Sequence, residues 1–149
     1  MNVMIMPDVN LLVYAHRQDE RVHESYRRWL EQLVNGSGPF ALSVLVAVGF
    51  VRIVTNPRIY PNPTPLASAL AVVDGLISLP QCRVAVPGLE HWQHVAEMCR
   101  RTAATGKLVA DAQHAALAIA EGCVWATRDR DFERFCACGL RWQHVELDA

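Results

Sequence analysis

Four acidic residues stand where carboxylates could do chemistry. Asp8 follows the apolar stretch MNVMIMP, Asp111 lies in LVADAQHAALAIAEG, and Asp129 and Asp131 interrupt VWATRDRDFERF. Each has an ordinary role open to it. Asp is among the best helix N-caps, which would serve for Asp8 and Asp111. Asp129 and Asp131 could solvate a turn beside Arg128 and Arg130. If three segments instead bring their carboxylates together, two of them about 4 Å apart repel by roughly 4 kcal/mol at an effective dielectric near 20. A divalent cation removes that cost, and all-oxygen ligation favours Mg2+, with Mn2+ able to substitute. The natural chemistry of such a site is metal-assisted attack of water on a phosphodiester.

Positioning those acids requires strands that end together. Val3 to Ile5 reads as a short strand ending near Pro7 and Asp8, with NLLVYAH as the helix after it. Residues 20–34 place Val22, Tyr26, Trp29, Leu30 and Leu33 at helical spacing, and NGSGP breaks that helix. FALSVLVAVGFVRIV is ambiguous: its start is strand-like, while Leu45, Val48, Phe50, Val51 and Val54 could line a buried helix. TNPRIYPNPTP, with its prolines, is a loop. Leu66 to Leu79 reads as an apolar helix, Cys82 to Val86 as a strand, and Leu89 to Thr102 as a polar helix. Asp111 then opens an alanine-rich helix whose close-packing face is Ala112, Ala115, Ala116, Ile119 and Ala120, with Gly122 as its C-cap. CVWAT is a strand, DRDFERF a turn with a short helix, and LRWQHVEL a last strand.

Strands alternating with helices predict an α/β domain around a largely parallel sheet. Ligands of such sheets collect at the carboxyl ends of the strands. Asp8 and Asp129 stand at two such ends.

Composition sets the bounds. A chain of 149 residues is the usual size of one domain. Its formal charge is −1, so no overall basic field advertises nucleic acid. Every basic residue except Lys107 is arginine, which suits bidentate phosphate contacts, although a GC-rich genome gives the same bias. Five scattered cysteines make a poor disulfide framework. Cys136 and Cys138 lack the second pair that a zinc site needs, so reduced thiols in a cytoplasm are expected. No apolar run has the length of a membrane span, and the N-terminus lacks the features of a signal peptide. His91 and His94 read as surface residues of a polar helix. His114 reads as surface or dimer packing, although it follows Asp111 by three residues.

The order of MPDVNLLVYAH, GFVRIVTNPRIY, LVADAQHAALAIAEG and WATRDRDFERF resembles the PIN-domain proteins, specifically VapC-type toxins of bacterial toxin–antitoxin pairs. The resemblance implies a single PIN domain over residues 1–149, with a parallel four- to five-stranded sheet flanked by helices on both faces. It implies a homodimer and a Mg2+-dependent endoribonuclease that cuts cellular RNA and is neutralised by a cognate VapB-type antitoxin. Carried over by motif, Asp8, Asp111 and Asp129 are the metal-holding, catalytic acids, with Asp131 peripheral. Asn10 and Thr127 would position a carboxylate or a water. Arg52 would meet RNA phosphate or pair with a site carboxylate, and Arg128 would do the same work.

One departure matters. Many family members carry a glutamate immediately before the phenylalanine of the F-x-R segment, where this chain has Gly49, and no acid occurs between Glu31 and Asp74. A non-catalytic module that grips RNA or a partner is therefore the alternative reading. A phospho-acceptor receiver domain also gathers acids and Mg2+, but it needs a lysine at a later strand end. Lys107 precedes the Asp111 helix, which argues against that fold.

Overall fold

A computed structural model describes residues 3–149. Five strands form one sheet in the order β3-β2-β1-β4-β5, with every neighbouring pair parallel. They are β1 (Ile5–Pro7), β2 (Phe40–Ser43), β3 (Cys82–Ala85), β4 (Val124–Thr127) and β5 (Arg141–His144). Among the described residues six helices connect them: α1 (Val9–His16), α2 (His23–Val34), α3 (Val44–Val54), α4 (Leu66–Ile77), α5 (His91–Thr102) and α6 (Lys107–Ala120). A 3-10 segment, Arg130–Cys138, follows β4. The α/β class and the parallel sheet expected from the sequence are what the chain adopts.

The sheet has two faces, and the strands alternate between them. Met6 of β1 and Trp125 of β4 enter the larger core cluster, while Ile5 and Ala126 join the smaller one with Leu11, Val22 and Tyr26. This is the two-residue period of strand side chains, with helices covering both sides. The Tyr26 hydroxyl donates to Val145 O at 2.9 Å and accepts from Leu147 N at 3.0 Å, which ties α2 to the chain after β5.

Chain order along the sheet places the site. From β1 the chain builds β2 and β3 to one side, then returns to lay β4 and β5 on the other. The switch point lies between β1 and β4, where Pro7 is in register with Ala126. Helices that leave neighbouring strands in opposite directions open a crevice at such a point.

Several boundaries differ from the sequence reading. The first strand is Ile5–Pro7 rather than Val3 to Ile5. Proline has no N–H to give a central strand, but it falls on the last residue of β1, and the next amide, Asp8 N, donates to Ala126 O at 2.8 Å. The ambiguous segment divides at Ser43, whose hydroxyl accepts from Leu45 N and Val46 N and starts α3. That start sets the helix face: Val46, Ala47, Phe50 and Val54 are buried, while Val48 is 66% exposed. The last strand is only four residues long. No helix among the described residues is long and apolar enough to cross a membrane.

Candidate active site

Asp8 is the first residue after β1 and caps α1. Its Oδ1 accepts from Val9 N at 2.6 Å, and its Oδ2 accepts from the Thr127 hydroxyl at 2.7 Å. The capping role and the site role are therefore carried by different oxygens. Burial pushes this carboxyl up to about 6, opposed by the Thr127 and Val9 hydrogen bonds and reinforced by the negative charges of Asp111 and Asp129.

Thr127 is fully buried at the end of β4. While donating to Asp8, its Oγ1 accepts from Asp129 N at 3.0 Å. One hydroxyl thus fixes the strand end carrying Asp129 against the strand end carrying Asp8. Asp129 then caps the 3-10 segment: its Oδ1 accepts from Asp131 N at 2.9 Å.

Asp111 is no cap. α6 begins at Lys107, after Gly106 with φ of +59°, so Asp111 lies in the second turn and its carboxylate serves no helix end. The helix starts earlier than the alanine pattern indicates, and Gly106 at its entry takes a positive φ that glycine adopts without steric cost. Asp111 is buried, and its carboxyl is raised, first by burial, against the lowering effect of Lys107.

Lys107 is the residue that sequence reasoning missed. Its Nζ lies 3.0 Å from Asp111 Oδ2 and 2.7 Å from Asp129 Oδ2, with Asp131 Oδ2 at 3.9 Å. The i, i+4 spacing from Lys107 to Asp111 was visible in the sequence; the reach to Asp129, 22 positions away, was not. Asp131 remains at the rim, its side chain 56% exposed.

The candidate substrate residues separate. Thr127 holds the acids together, and Asn10 is exposed on the first turn of α1. Arg128 turns away: its guanidinium lies over the Tyr14 ring, 5.2 Å from the centroid. Arg130 reaches Glu146 at 3.5 Å. Arg52 is exposed on α3 beside Val48, Leu70 and Asp74, and it forms no ion pair with a site carboxylate among the described residues. His114 is half-buried: it stacks on Trp125 at 5.2 Å, and burial lowers its imidazole to about 4.

Gly49 has a packing context. A Cβ there would meet Val9 Cγ2 at 3.0 Å, a contact that forces Val9 to shift. The position faces the residue next to Asp8, so valine closes this side of the site's surroundings.

The arrangement is three carboxylates from three elements, gathered at the switch point with a buried hydroxyl between two of them. The all-oxygen set suits a hard dication that keeps part of its water shell. Among the described residues no three acidic, His or Cys side chains already stand as a chelating group; an ammonium holds two of the acids. The donor chemistry would suit such an ion, and Lys107 Nζ stands on two of the three acids.

Residues 5–137 match the PIN domain family model. The chain is 41% identical over 141 residues to VapC ribonuclease Mb2897 of Mycobacterium bovis, covering 95% of each protein. The chain belongs to the PIN-domain family, among the VapC ribonucleases. Ribonuclease VapC31 of Mycobacterium tuberculosis is 36% identical across 90% of this chain and 94% of its own. Solved structures agree on the PIN fold. Mycobacterium tuberculosis VapC20, described as a sarcin-ricin loop cleaving toxin, superposes with a TM-score of 0.66 at 17% identity, covering 97% of this chain and 99% of that one. VapBC2 from Rickettsia felis, bound to promoter DNA, gives 0.68 at 18% identity, covering 97% and 100%.

Proposed function

We propose that this VapC-family chain is a Mg2+-dependent endoribonuclease, the toxic component of a type II toxin–antitoxin pair, with Asp8, Asp111 and Asp129 as its metal-holding acids. The observation that carries the reading is the gathering of these three acids at the switch point, two of them locked by Thr127. Mg2+, with Mn2+ able to replace it, would supply an activated water and charge neutralisation at the phosphate. The chain's own residues do the rest. Asp8 or Asp129 orients the attacking water through a carboxylate oxygen. Thr127 keeps the two acids in register, and exposed Asn10 stands at the rim where a substrate strand would pass.

The products expected carry a 5′-phosphate and a 3′-hydroxyl. The partner expected is a VapB-type antitoxin, supported by the VapBC and FitAB complexes of the same fold. A second copy of the chain and a cytoplasmic location complete the reading.

The test uses purified protein and total cellular RNA with MgCl2, MnCl2 or EDTA. Cleavage should need the metal and fall by more than about 100-fold in Asp129→Asn, since losing even an outer-shell partner of a metal ligand costs roughly 10- to 100-fold. Products ending in 2′,3′-cyclic phosphate would overturn the scheme. A second reading, a PIN module that binds RNA without cutting it, has Gly49 and the ammonium on Asp111 and Asp129 in its favour. RNA binding indifferent to EDTA, with no cleavage, would establish it.

A further inference from the structure

The three acids do not share one counter-charge. Lys107 bridges Asp111 and Asp129, whereas the oxygens of Asp8 are taken by Val9 N and the Thr127 hydroxyl. Asp129 has already given Oδ1 to the Asp131 amide. Its Oδ2 takes no backbone or hydroxyl donor, and Lys107 stands on it at 2.7 Å.

Besides these two acids, only the exposed Asp131 carboxylate, 3.9 Å away, draws on that ammonium among the described residues. Lys107 is the first residue of α6, where the helix dipole favours anions over cations. Its side chain is 64% exposed, so its flexible four-carbon stem is free to swing. A divalent ion drawing on the same carboxylates would meet a tethered monovalent competitor.

Resting on the metal-dependent reading above, we propose that Lys107 is an exchangeable internal cation of this site. It neutralises Asp111 and Asp129 in the metal-free protein, and a divalent ion displaces its ammonium on binding. The lysine sets the metal concentration at which the site fills, independently of the acids that do the holding.

The probe is MnCl2, titrated into the full-length protein at about 0.15 M salt and followed by the spin resonance of free Mn2+, with MgCl2 as competitor. Lys107→Met and Lys107→Gln should each bind Mn2+ about five- to tenfold more tightly, the scale of two partly exposed ion pairs. Lys107→Arg, whose planar fork suits carboxylates better, should bind it no more tightly than the native chain. Arg134 acts on Asp129 by charge without an ion pair, so Arg134→Met controls for simple loss of positive charge and should change affinity less than twofold.

Circular dichroism of each variant reports folding separately. Unchanged or weaker binding in both Lys107→Met and Lys107→Gln, with native affinity intact, would overturn the exchange and leave the metal reading standing. An equal gain in Arg134→Met would reduce the effect to long-range charge and also overturn it. If neither native nor variant protein binds Mn2+ at millimolar concentration, the metal reading fails and the exchange fails with it.

Discussion

Two regions flank α1, and they are built on opposite rules. At the carboxyl ends of β1 and β4, almost every polar atom is spoken for: Asp8 by Val9 and Thr127, Asp129 by Asp131 and Lys107. Across α1, the α3 and α4 surface is apolar and open, with Val48 and Leu70 exposed around Arg52 and Asp74. The first region fixes carboxylates by hydrogen bonds from backbone and hydroxyl. The second has Asp74 of α4 beside Arg52 but no acid on α3, where Gly49 faces Val9. The carboxylates of the site thus come from the end of β1, from α6 and from the end of β4, with none from α3.

If the first region is held by Thr127, removing its hydroxyl should cause the largest loss of stability. Thr127→Val keeps the shape but leaves Asp8 Oδ2 and Asp129 N without their partner. Unsatisfied buried groups cost about 1–3 kcal/mol and more when charged, so a loss of about 3 kcal/mol is expected in urea unfolding at pH 7. RNA cleavage should fall by roughly 10- to 100-fold, the scale for groups that orient metal ligands. A variant as stable and active as the native chain would show that the hydroxyl merely fills a gap.

The next effect separates burial from hydrogen bonding. Asp8 has a folded value of about 6 against 3.8 for the free group. The folded chain therefore holds a proton that the unfolded chain has already lost between those values, and stability falls as pH rises through that window. The penalty is absent below it, complete above it, and about 3 kcal/mol at most. Asp8→Asn removes the charge but puts an amide donor toward the Thr127 hydroxyl, which offsets part of the gain. Metal-free Asp8→Asn should be about 2 kcal/mol more stable than native protein at pH 7.5, and the difference should vanish near pH 4. A pH-independent difference would mean that Asp8 ionises normally.

These two experiments probe what the sequence made legible and what it hid. The α/β alternation and the acids at strand ends were readable because strand period, turn residues and Asp are local signals. The start of α6 was not: it lies four residues upstream, after Gly106, and turns Asp111 from a helix opener into a second-turn acid. Lys107 was weighed only against another fold, since a contact spanning 22 positions leaves no periodic trace. Arg128 adjoins Asp129 in sequence, yet the two turn apart, because residues next to each other at a strand end project to opposite faces. Arg128 went to Tyr14, and Asp129 went to the site.

The smallest effect tests whether the two regions are coupled at all. Gly49 lies within α3, where alanine is favoured over glycine by about 1 kcal/mol. Its added Cβ would approach Val9 Cγ2 to 3.0 Å, and Val9 is β-branched, with little rotamer freedom in a helix. Helix propensity and crowding should nearly cancel, leaving Gly49→Ala within about 0.5 kcal/mol of native in urea unfolding. In a Val9→Ala background the crowding is gone, and the same change should stabilise by about 1 kcal/mol. The difference between the two backgrounds measures the coupling through Val9. Because the Val9 amide donates to Asp8 Oδ1, a forced shift of Val9 also reaches the site, and Gly49→Ala should cost a few-fold in RNA cleavage that Val9→Ala restores. Equal increments in both backgrounds would mean that Val9 does not police position 49, and that its lack of a side chain reflects no packing constraint of this chain.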